Sequence, residues 1–157
     1  MPLLRSEATN TALRLSWSIG ASADAVWTCL TNSPHLRLWL GDLADGSLAE
    51  GETFAIDHGD GDGYQCCSAV ELYDAPRALT YSWTFPDEHR TLVAWTLTPR
   101  SSDTVLDLNH TGLDELVRSY FSGWMTHLTF LEGAAVDAPI PSQMFWPLHD
   151  TFARLNG

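Results

Sequence analysis

Two histidines, two tyrosines and several tryptophans recur at spacings that would gather them in one interior. His110 closes a run in which Leu106, Leu108 and His110 alternate with Asp107 and Asn109, the period of a strand with one buried face. His127 follows Trp124 by three residues, on or near the apolar stripe of a helix. An imidazole can donate or accept a hydrogen bond and can carry a proton near neutral pH. Tyr and Trp combine a large apolar body with one polar tip that needs a partner when buried. Seven tryptophans in 157 residues exceed what a small core needs. The expectation is an aromatic-walled cavity for an apolar or aromatic small molecule. Its candidate lining is Trp39, Tyr81, Trp83, Trp95, His110, Tyr120, Trp124 and His127. In that cavity His110, together with His127, would orient a ligand carbonyl or carboxylate. The competing expectation is an aromatic-rich core whose histidines bond to nearby backbone or a Tyr hydroxyl.

Other chemistries find less support. Asp57 to Tyr64 reads DHGDGDGY, which invites a calcium reading. Taking Gly63 as the sixth position of an EF-hand loop puts His58 first and Ala69 twelfth, so the bidentate acid is missing. An acidic hairpin turn is the better reading. The six histidines show no HExxH or paired Cys/His spacing, and no metal or cofactor is expected. There is no GxSxG, and Cys66 and Cys67 do not begin a helix. Cys29 falls inside a helix and should pack. An acid–base pair of His110 with Asp107 or Glu71 can be drawn, but strand phase turns Asp107 away from His110. Arg14 and Arg37 read as surface charges, and Arg118 sits at a helix edge.

Composition narrows the partners. All eight basic residues are arginines, which excludes Schiff-base and P-loop lysine chemistry. A formal charge of −12 disfavours nucleic acid and anionic membrane surfaces. The N-terminus lacks the apolar stretch of a signal peptide, and no run reaches transmembrane length. Three cysteines without CxxC spacing suggest free thiols and a cytoplasmic setting.

The elements that must position these residues follow from periodicity. Residues 1–10 are expected to be a flexible terminus. Leu13, Leu15, Trp17 and Ile19 alternate as a strand. Ser22 caps a short helix carrying Val26, Trp27 and Leu30, and Ser33-Pro34 opens a second with Leu36, Trp39 and Leu40 inward. Strands are expected at Thr53 to Asp57, Tyr64 to Tyr73, Leu79 to Phe85, Val93 to Leu97 and Thr104 to His110. One long helix, about 113–133, carries Val117, Tyr120, Trp124, Leu128 and Leu131 on one stripe, with Gly133 as C-cap. Residues 11–133 thus form one domain, and 134–157 a C-terminal extension with a short helix.

The order of strand, two short helices, antiparallel meander and long C-terminal helix resembles the START-like, or SRPBCC, helix-grip fold. This is an α+β class in which a curved antiparallel sheet wraps a long helix. The segments ASADAVWTCLTNSPHLRLWL, GSLAEGETF, VELYDAPRALTYSW, TLVAWTLTPRSSDTVLDLNHTGL and YFSGWMTHLTFL cover roughly residues 12–132. Within the superfamily they resemble the family of the activator of heat-shock protein 90 ATPase. The resemblance implies a cavity between sheet and helix suited to apolar ligands, and no shared catalytic motif. The expected function is therefore non-enzymatic binding of a hydrophobic or aromatic small molecule. The alternatives are an enzyme of polyketide-cyclase type, and an interaction module contacting a chaperone or forming a homodimer through the extension.

Overall fold

The computed structural model describes residues 2–59 and 63–157. Eight strands form one antiparallel sheet in the order β1-β2-β8-β7-β6-β5-β4-β3. They are β1 (Leu3–Ala8), β2 (Ala12–Ile19), β3 (Asp42–Gly46), β4 (Thr53–Asp57), β5 (Gln65–Asp74), β6 (Ala78–Trp83), β7 (Thr91–Pro99) and β8 (Thr104–Thr111). Helices α1 (Ala23–Thr31) and α2 (Ser33–Leu36) follow β2, and α3 (Val117–Ala135) follows β8. The last helix is α4 (Phe145–Asn156). This is the α+β helix-grip architecture expected from the order of elements.

The sheet's inner face is set by alternation. Leu13, Leu15, Trp17 and Ile19 of β2 are buried, and so are Leu106, Leu108 and His110 of β8. Their partners in phase lie on the outer face, where Ser16 bonds to Asp107 and Ser18 donates to Asp103 at 2.5 Å. Helix α1 starts where Ser22 Oγ accepts from the Ala25 N–H at 3.2 Å. Helix α3 lies against the inner face and is covered on a further side by α4, which explains why Ser122, Met125 and Phe130 are buried along with its sheet-facing stripe.

Four sequence expectations are corrected. Residues 3–8 are not a loose terminus: they pair with β2, from Leu3↔Trp17 to Ala8↔Leu13. Strand β3 was not anticipated either. Both are edge strands with mostly exposed side chains, so backbone pairing rather than an apolar face defines them. The long helix begins at Val117, after a 3₁₀ turn at Asp114–Leu116, because Asp114 has φ of 49° and interrupts helical geometry. It ends past Gly133, and the left-handed residue after it is Asp137, with φ of 59°. Gly133 serves another purpose. A Cβ there would come within 2.8 Å of Ala138 O, so its hydrogen lets the chain fold back over the helix.

Strands β4 and β5 pair from Thr53↔Ala69 to Asp57↔Gln65. Residues 60–62, in the segment that carried the calcium and acidic-turn readings, lie outside the described residues. Among the described residues no cluster of His, Cys, Asp or Glu could hold a metal ion. Among them, too, no helix is long and apolar enough to cross a membrane.

Candidate functional site

Six of the eight candidate residues meet inside the sheet–helix layer. Trp83 and Trp95 reach from β6 and β7, and Trp124 reaches down from α3 between them, with ring centroids 5.6 and 5.5 Å away. All three are 1–3% exposed. Their N–H groups are each satisfied. Trp95 donates to Tyr81 Oη at 2.9 Å, Trp83 to Tyr120 Oη at 3.1 Å, and Trp124 to His110 Nδ1 at 2.8 Å. Tyr120 in turn donates to Glu88 at 2.6 Å, fastening the first turn of α3 to the β6–β7 connection.

The tautomer of His110 follows from its partners. An indole N–H can only donate, so Nδ1 is the acceptor and Nε2 carries the proton. That proton goes to Thr91 Oγ1 at 2.7 Å, and the Thr91 hydroxyl donates to Trp83 O at 3.1 Å. Both ring nitrogens are consumed by the core. Burial pushes the His110 pKa down to about 3, so the ring is neutral at ordinary pH. Neither acid drawn beside it is available: Asp107 bonds to Ser16 on the outer face, and Glu71 pairs with Arg90. His110 has the arrangement of a core histidine. Cys29 and Cys66 are likewise inert, their thiols raised by burial to about 11 and about 12.

A cavity of about 850 Å³ opens at one end of the layer instead. Trp39 and His127, the remaining two candidates, stand on its border. Its walls come from the segment between α2 and β3, the end of β4, the middle of α3 and the extension. Phe130 of α3 and Phe145 and Trp146 of α4 supply aromatic surface, and Ile140 with Pro139 and Pro141 supplies aliphatic surface. The polar lining includes Arg37, Asp42, Asp57 and the histidines His58, His127 and His149. Arg37 is held by Asp42 at 3.1 Å.

Aromatic contacts run continuously from the core to this groove. Trp39 meets Trp95 edge-on at 5.9 Å, and its N–H donates to Cys29 O at 2.7 Å. His127 lies 5.8 Å from Trp124 and 5.0 Å from Phe145, centroid to centroid. Phe145 then contacts Trp146 at 5.3 Å. Nδ1 of His127 lies 2.7 Å from Trp39 O. Burial lowers the His127 pKa to about 4.

The sequence profile of the Activator of Hsp90 ATPase homolog 1-like protein family matches residues 20–135. The chain belongs to that family. Its helix-grip core also resembles solved structures. CalU16 from Micromonospora echinospora superimposes with a TM-score of 0.71 at 24% identity, over 92% of this chain and 87% of that one. MLL2253 from Mesorhizobium loti gives 0.71 at 22% identity, over 82% and 99%. DynU16, from the dynemicin biosynthetic locus, gives 0.72 at 23% identity over 82% of this chain, which spans 48% of DynU16. These likenesses establish the fold. No curated protein matches in sequence.

The family match stops at the end of α3, whereas the groove takes one wall from residues 139–149. His58, Phe130, Phe145, Trp146 and His149 escaped the sequence reading. The one available signal was the cluster MFWPLH at 144–149, too rich in large apolar residues for a solvated tail. His149 also anchors the extension, with Nε2 lying 3.2 Å from Ser122 Oγ of α3. Asp150 stands 3.8 Å from His149 Nδ1, so the three types of a hydrolytic triad are neighbours. Their geometry does not support that chemistry. Ser122 is buried and donates to Ser119 O at 3.2 Å, and the Asp150 contact exceeds hydrogen-bond range.

Proposed function

We propose that this protein binds an aromatic or hydrophobic small molecule, without transforming it, in the groove between the helix-grip core and its C-terminal extension. The observation that carries the reading is the groove itself. About 850 Å³ of open space lies against Trp39, Phe130, Phe145 and Trp146, with a few polar groups at its edge. That volume falls within the roughly 300–1,000 Å³ common for small-molecule sites. Apolar walls supply affinity by removing ligand surface from water, and sparse polar groups supply orientation. The filled interior beneath favours this location over the space between sheet and helix. An enzyme of polyketide-cyclase type is less well supported, because both nitrogens of His110 are already bonded to Thr91 and Trp124.

Native mass spectrometry of freshly purified protein, followed by tryptophan-fluorescence titration with aromatic ligands, tests the reading. Binding should quench Trp39 and Trp146, and Trp146→Phe should remove part of the response. A flat response to every ligand, with no adduct by mass, refutes it.

A second reading rests on the exposed apolar residues of the extension, one of which, Trp146, also borders the groove. Trp146 is 62% exposed and Leu155 78%, with Met144 also exposed. Such residues suit a second copy of the chain or a chaperone surface. Sedimentation velocity across concentrations tests the homodimer. A monomer throughout refutes it.

A further inference from the structure

The groove offers a ligand a specific hydrogen-bond acceptor. We infer that Nε2 of His127 is the recognition point of the site, and that it selects aromatic ligands bearing a hydroxyl or N–H donor over those bearing a carboxylate. The inference deepens the binding reading above and rests on it.

The tautomer carries the first step. Trp39 O can only accept, so the nitrogen 2.7 Å from it must be Nδ1–H. A neutral imidazole with its proton on Nδ1 presents a lone pair at Nε2. The ring is kept neutral by its surroundings. Trp39, Trp124 and Phe145 take it out of water, and the nearby His58 and His149 disfavour a further positive charge. Among the described residues Nε2 makes no hydrogen bond, and His127 borders the open groove. An acceptor so placed is best satisfied by a donor arriving with the ligand.

The charge of the lining points the same way. Asp42 and Asp57 both line the groove, and Arg37 there is already paired with Asp42. A ligand carboxylate would meet the carboxylate of Asp57, an arginine already engaged by Asp42, and a lone pair. A phenol would meet an acceptor at its hydroxyl and aromatic side chains around its ring. This reverses the sequence expectation, in which His127 helped hold a carbonyl or carboxylate.

Calorimetric titration of the full chain with 1-naphthol, 1-methoxynaphthalene and 1-naphthoate tests the assignment. The first two differ in one donor. Naphthol should bind roughly tenfold more tightly than its methyl ether, the difference one good hydrogen bond makes. Naphthoate should bind more weakly than either. His127→Phe should abolish the preference for naphthol while the ether still binds. Because that variant also loses the bond to Trp39 O, ¹⁵N-edited histidine spectra of the wild-type protein provide a second readout. They should show Nε2 as the unprotonated nitrogen, moving toward the protonated range with naphthol but not with the ether. Equal binding of naphthol and ether, or a spectrum with the proton on Nε2, overturns the inference while leaving the binding reading intact. Absence of binding by all three probes in the wild-type chain overturns both.

Discussion

His110 and His127 both touch Trp124, both are neutral in the folded protein, and both have pKa values lowered by burial. They differ in remaining hydrogen-bonding capacity. His110 gives Nε2–H to Thr91 and receives the Trp124 N–H on Nδ1. His127 gives Nδ1–H to a backbone carbonyl and borders a groove, and its Nε2 makes no hydrogen bond among the described residues. The same residue type in similarly apolar surroundings thus has both nitrogens bonded in one place and one nitrogen bonded in the other. A perturbed pKa does not separate the two cases, whereas counting the partners of each nitrogen does.

The contrast is broken most sharply by removing His110. His110→Ala leaves a cavity and strips the Trp124 N–H of its acceptor. It should lower stability by about 3–4 kcal/mol. For a chain of this size the melting temperature falls by on the order of 10 °C. Urea unfolding and calorimetry measure both.

Acid acts on both sites in the same direction. For His110 and His127 the folded-state pKa values, about 3 and about 4, lie below the ordinary 6.5. The unfolded chain therefore binds more protons between these limits. Their contribution is full above about pH 6.5 and is lost as pH falls toward 4 and then 3. Urea midpoints at pH 7.5, 6 and 5 should fall in that order, and less steeply in His110→Gln or His127→Gln. A midpoint that does not change across this range would contradict the buried neutral assignment of both rings.

Trp124→Phe keeps most of the packing but removes the donor to His110 Nδ1, for an expected loss of about 2 kcal/mol. At the groove the pattern inverts. Trp146→Ala should change stability by no more than about 0.5 kcal/mol, since the side chain is mostly exposed, yet weaken aromatic ligands measurably by calorimetry. If Trp146→Ala destabilised the fold as Trp124→Phe does, the division between packed interior and open groove would be lost.

Much of the fold was legible because it repeats. Leu13, Leu15, Trp17 and Ile19 alternate, and Val117, Trp124, Leu128 and Leu131 recur on a helical stripe. Both periods survive any exchange among large apolar residues. Strands β1 and β3 were illegible because their side chains bury no common face. The start of α3 was misplaced because a single positive φ at Asp114 leaves no periodic trace. At the candidate site the sequence expectation placed a cavity between sheet and helix, whereas the structure packs Trp83, Trp95 and Trp124 together there and brings Trp39 and His127 to the border of a groove at one end. Phe145 and His149 lie 10 and 14 residues beyond the end of α3 at Ala135, with no spacing that ties them to His127.

The sequence by itself determined the element order, the sheet's inner face and the absence of lysine chemistry, because each depends on local period or on composition. Tertiary structure alone decided which indoles fill space and which border it, since packing depends on how side chains from β6, β7 and α3 share one volume. It also decided the tautomers. Trp124 and Thr91 must close on His110, and the Trp39 carbonyl on His127, before either imidazole has a defined donor and a defined acceptor.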